Sequence, residues 1–119
     1  MTQAEKDFRT VLSHYPLENL QRLDAAIELG QVVTGKYHDA RGRGCLMFHL
    51  DRITSKSDLQ AAFPGASYAA PRDLVRHFDD GRLTLPDARQ ILLDVIDIRR
   101  QINAAEESML TRVLQKTSL

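Results

Sequence analysis

Cys45 and His49 stand four residues apart, so on a helix they would share one face. A thiol with an imidazole beside it is the pairing a cysteine nucleophile needs, and Arg41 and Arg43 just upstream would favour the thiolate. Against this stands the segment itself. Cys45, Leu46, Met47, Phe48 and Leu50 make a compact apolar run, where a cysteine is ordinarily an inert small hydrophobe. No third group that would orient the histidine is evident. The expectation is therefore a non-enzyme, with Cys45 and His49 thiol chemistry as the weaker reading.

The second cluster is the stretch from Gly35 to Gly44, which holds three glycines in ten residues. Between residues 36 and 56 lie five basic residues (Lys36, Arg41, Arg43, Arg52, Lys56) and two acids (Asp39, Asp51), in a chain whose total is balanced at sixteen of each sign. A glycine-rich loop leading into a helix can present backbone N–H groups to an anion. Lys36, Arg41 and Arg43 are thus candidates for binding an anion or an RNA backbone. The spacing matches neither the phosphate-loop nor the dinucleotide-binding pattern. The plainer reading is a surface loop whose arginines pair with nearby acids.

Metal chemistry has less to stand on. His14, His38, His49, His77 and Cys45 show no paired zinc spacing, and no Glu-x-x-His is present. Placing Gly81 at the glycine position of a calcium loop would put Arg76 and Phe78 where oxygen ligands belong. No metal and no cofactor is expected. A helix-turn-helix reader of DNA would need a polar, basic second helix, and the segment after Gly81 is too apolar for that.

The elements that must carry these residues read as helices. Thr2 with Glu5 three residues on forms a capping-box pattern, and Phe8, Val11 and Leu12 give the first helix, over residues 2–14, its apolar face. Leu17, Leu20, Leu23 and Ile27 recur at helical spacing in a second, over residues 17–29. Val32 and Val33 are β-branched, so residues 31–34 are either a last helical turn or a short strand; helix is favoured because no partner strand is evident. Residues 45–51 carry the same ambiguity and are again read as helix. A short helix from Ser57 to Phe63 ends at Pro64-Gly65. A loop over residues 65–70 follows, then a helix opening at Pro71 with Leu74, Val75 and Phe78 inward.

The last third of the chain is the most legible. Thr84 can cap a helix, Asp87 suits its positive end, and no Gly or Pro follows Pro86. Ala88, Ile91, Val95, Ile98, Ile102, Ala105 and Met109 fall on one heptad line, which shifts to Val113 afterwards. Leu92, Leu93 and Ile96 add a second apolar face to the first half, so that half reads as core. Beyond it a thin seam remains among Arg99, Arg100, Glu106 and Glu107. A helix of about thirty residues spans roughly 45 Å at 1.5 Å per residue. A domain of this size is roughly 35 Å across, so the end of this helix should project or find a partner.

The expectation is one domain over residues 1–119: a small all-α bundle of five or six helices, with short helices and loops over 1–83 and one long helix over 84–117. It has 43% hydrophobic and 27% charged residues, formal charge zero and a single cysteine. Those values fit ordinary globular usage and a reducing compartment, here the cytoplasm. The polar stretch from Met1 to Arg9 does not resemble a signal peptide, and no run is long and apolar enough for a membrane span. The expected function is a small adaptor or regulatory protein. It would associate through Ile98, Ile102, Ala105, Met109 and Val113, as a homodimer or with a partner helix. The alternative is an anion- or RNA-binding module built on the 35–44 loop.

Overall fold

The computed structural model describes residues 1–35 and 37–117, with no side-chain description for Thr117. The candidate Lys36 lies outside the described residues. Among the described residues six α-helices follow one another: α1 (Gln3–Ser13), α2 (Leu17–Glu28), α3 (Leu46–Asp51), α4 (Lys56–Ala62), α5 (Ala69–Asp79) and α6 (Leu85–Thr117). A single 3-10 turn, Gly65–Tyr68, precedes α5. Both the helical class and the long terminal helix agree with the sequence reading.

The helix starts follow local chemistry. The Thr2 hydroxyl accepts from the Glu5 amide at 3.2 Å, Ser55 from Asp58 at 3.1 Å, and Thr84 from Asp87 at 3.3 Å. Each satisfies an amide that has no partner inside its own helix. Pro71 enters at the third position of α5 rather than the first, because the preceding turn runs directly into the helix.

The core is built where α1 lies on α5 and α6, and α2 on α3 and α6. Phe8, Leu12, Leu20, Leu23, Met47, Leu50, Leu74 and Leu92 are among its fully buried side chains. Each contributes on the order of 1.5–3 kcal/mol of apolar burial. Polar ties lock the layers. Asp7 accepts from Gln3 at 2.9 Å and lies 3.2 Å from His77 Nε2, joining α1 to α5. The Tyr15 hydroxyl donates to Asp51 at 2.8 Å; burial first, and then this carboxylate, push the phenol's pKa upward.

One expectation needs correction. Residues 31–34 are not a last helical turn. α2 ends at Glu28, and the chain turns away at Gly30, which takes a left-handed φ of 69°. Val33 then donates to the Gly44 carbonyl at 2.8 Å, and Gly44 donates to the Gln31 carbonyl at 2.9 Å. Val32 and His38 both form isolated bridges with Gly44. The partner strand is thus a single residue inside the glycine loop. Residues 45–51 are helical as expected, with Cys45 at the N-cap of α3.

The molecule measures 59 × 33 × 31 Å. At 1.5 Å per residue the 33-residue α6 runs about 50 Å, longer than either short dimension. No helix among the described residues is long and apolar enough to cross a membrane.

Candidate functional site

α6 is held by the body over its first half only. Ala88, Leu92 and Ile96 are buried, and Arg89 reaches Asp24 and Glu28 on α2 at 3.3 Å each. Arg9 on α1 meets Asp94 at 3.0 Å. The last anchor is Arg99. Its guanidinium donates to the carbonyl oxygens of Tyr15 (2.9 Å), Ser13 (3.2 Å) and Leu12 (3.4 Å). These carbonyls lie at and just beyond the end of α1, where the helix's own amides run out, although that of Leu12 also accepts from the Tyr15 amide at 3.2 Å.

From Gln101 to Lys116 every residue is exposed. Ile102 is 47% exposed, Met109 66% and Val113 54%. Ala105 lies exposed between them. Ile98, which the sequence groups with both core and seam, is 45% exposed and belongs with the seam. Leu93 also faces outward, at 40%, although the apolar count around the first half suggests core. Leu110 and Leu114, about 60% exposed, were missed by the heptad reading. That reading follows one narrow line. At about 100° per residue these two leucines sit on the adjacent flank and widen the apolar sector at the helix end.

In the glycine loop an arginine pairs with a nearby acid, in keeping with the plainer reading of its composition. The amides of Arg41 (2.8 Å) and Arg43 (3.0 Å) both donate to Asp39 Oδ1, and Arg43 Nε donates to Oδ2 at 2.8 Å. The concave set of N–H groups that could receive an anion is occupied by the loop's own carboxylate. Burial would raise the Asp39 pKa, but these donors outweigh it and hold the carboxyl below its ordinary value. Arg43 is committed to this pair, while Arg41 remains exposed.

Gly44 is the tightest point of the loop. A Cβ there would overlap the Phe48 ring and the Tyr37 carbonyl oxygen. Gly35 donates its amide to Asp79 at 3.0 Å, tying the loop to α5.

Cys45, at the N-cap of α3, and His49, within that helix, face different surroundings. The Cys45 thiol is buried, and burial pushes its pKa upward, away from thiolate. The His49 ring turns instead to Gln31, with Nε2 at 2.9 Å from the carbonyl oxygen. Burial first, with Arg52 and Arg22 adding to it, draws the His49 pKa below its ordinary value. Among the described residues no three His, Cys, Asp or Glu side chains gather as a metal ion would require.

Comparison of the chain with protein-family models, with curated proteins and with solved structures yields no match.

Proposed function

We propose that this protein is a non-enzymatic interaction module, a small adaptor or regulator that associates through the projecting end of α6, and that the occupant of this surface is a second copy of the chain. The observation that carries the reading is the stretch from Gln101 to Lys116, exposed throughout yet bearing Ile102, Met109 and Leu110 on a helix already anchored at Arg99. Most helical stability in proteins comes from packing of an amphipathic face, which this arm lacks without a partner. A single buried thiol and a neutral charge balance fit a cytoplasmic setting.

Charge selects the direction of the pair. The projecting stretch carries its acids first, Glu106 and Glu107, and its bases later, Arg112 and Lys116. A parallel pair sets each residue beside its own copy, so like charges meet. An antiparallel pair centred on Met109 brings Glu106 of one copy to Arg112 of the other, and Ala105 to Val113. Ile102 then lies under the aliphatic stem of Lys116.

Ile102→Glu is the test. The wild type runs as a dimer at tens of micromolar by light scattering, and the variant runs as a monomer with unchanged helical circular dichroism. A monomeric wild type at that concentration overturns the reading.

A further inference from the structure

A second feature lies away from the projecting helix and does not depend on it. Between α2, α3 and the glycine loop is an open cleft of about 250 Å³, walled by Arg22, Gln31, Gly42, Phe48, His49 and Arg52 among others. Its two cations have no acidic partner: every ion pair among the described residues involves other side chains. In a protein of zero formal charge, two unneutralised guanidinium groups at one small concavity make a local positive field.

Arg22 is preorganised by hydrogen bonds, and Arg52 lies against an aromatic ring. Arg22 Nε donates to the His49 carbonyl oxygen at 3.1 Å and Nη2 to that of Leu50 at 2.9 Å. Its Nη1 makes no hydrogen bond among the described residues, so one edge of the fork is left for a ligand. Arg52 is held by its backbone, which takes a left-handed φ of 55° at the end of α3 and donates to the Phe48 carbonyl oxygen at 2.8 Å. Its guanidinium lies 5.7 Å from the centre of the Phe48 ring, which also stacks with the His38 ring at 5.4 Å and meets the His49 ring edge-on at 5.1 Å. Holding such long side chains before a ligand arrives removes part of the entropy cost of binding.

His49 supplies the complementary group. Its Nε2 faces a carbonyl oxygen, which can only accept, so that nitrogen carries the proton and Nδ1 keeps a lone pair. Among the described residues Nδ1 makes no hydrogen bond and is not one of the sealed polar atoms. The cleft therefore offers two cationic donors and one neutral acceptor. A bare anion satisfies the donors alone. An anion with a hydroxyl beside it satisfies both.

We propose that this cleft binds a small phosphate ester carrying a neighbouring hydroxyl, with the phosphate on Arg22 and Arg52 and the hydroxyl donating to His49 Nδ1. Guanidinium forks match phosphate oxygens, and a half-open cleft of this volume admits a phosphate with a few attached atoms. The site is distinct from the 35–44 loop amides, which Asp39 occupies; the loop contributes Gly42 as a wall.

The test is amide and arginine side-chain NMR of the full chain at fixed ionic strength, titrated separately with glycerol 3-phosphate, inorganic phosphate, glycerol and chloride. Glycerol 3-phosphate produces saturable shifts at Gln31, Gly42, His49 and the Arg22 and Arg52 Nε–H groups, and inorganic phosphate does so more weakly. Glycerol and chloride produce none. Arg52→Gln, an exposed position whose change leaves the core intact, weakens glycerol 3-phosphate binding at least about tenfold, the scale of a lost charge-assisted contact. Arg41→Gln, on the neighbouring loop, leaves it unchanged. Shifts that fail to saturate, that chloride reproduces, or that persist unaltered in Arg52→Gln overturn the proposal. Equal affinity for inorganic phosphate and glycerol 3-phosphate overturns the role of His49.

Discussion

Arg99 donates from Nη1 to the carbonyl oxygen of Tyr15 at 2.9 Å, and that contact marks where α6 parts from the body. Before it the helix is covered by α1 and α2; beyond it every described residue whose side chain is placed is exposed, Arg100 included. One guanidinium serves both the end of α1 and the root of the projecting arm. Arg99→Ala should cost about 1–2 kcal/mol of stability, since it strips several carbonyls of a charged donor. Chemical denaturation measures this. Arg99→Lys restores only part, because an ammonium lacks the fork that spans Leu12, Ser13 and Tyr15.

The antiparallel register predicts a reciprocal charge effect. Glu106→Arg alone, or Arg112→Glu alone, should weaken the dimer roughly three- to tenfold, since exposed pairs contribute a few tenths to one kcal/mol each and two related pairs are lost. The double reversal should recover most of the affinity. Sedimentation equilibrium distinguishes the cases. A parallel pair would show no recovery, since residues 106 and 112 would never meet.

Gly44 and Gly42 sit two residues apart but answer to different constraints. At Gly44 the limit is space, because a methyl group would overlap Phe48 and the Tyr37 carbonyl. At Gly42 the limit is the backbone, with a φ of 77° and nothing near the position a Cβ would take. Gly44→Ala should cost about 2–3 kcal/mol through overpacking at the point where both bridges converge. Gly42→Ala should cost about 1–2 kcal/mol, the penalty of a left-handed residue. Thermal or urea unfolding ranks the two.

His49 predicts an acid-side loss of stability. Its pKa in the folded chain is below the ordinary histidine value of about 6.5, so the unfolded state binds the proton more readily. The contribution is fully present above about 6.5 and is lost as pH falls from there toward the lower folded value. Urea midpoints between pH 7.5 and 5 should fall more steeply for the wild type than for His49→Gln, which has no proton to take up. Parallel curves would remove His49 as the cause.

Much of this architecture is written locally. The caps at Thr2 and Thr84, the apolar faces of α1 and α2 and the uninterrupted run after Pro86 can be read without coordinates. They are readable because a helix depends on neighbours three and four residues away, all inside one stretch of chain. The seam residues Ile102, Ala105, Met109 and Val113 were legible for the same reason. Other features required the fold. Residues 31–34 are extended because their hydrogen-bond partner is Gly44, reached only after the loop doubles back. The loop's amides close on Asp39, a choice of partner that composition does not reveal. Arg22 and Arg52 are thirty residues apart and meet only because α2 lies on α3. Sequence alone determined that a long amphipathic helix exists. Tertiary structure decided that its cover ends at Arg99, because that boundary is set by where the α1–α2 corner lies in space, and no periodicity within α6 encodes the position of another element.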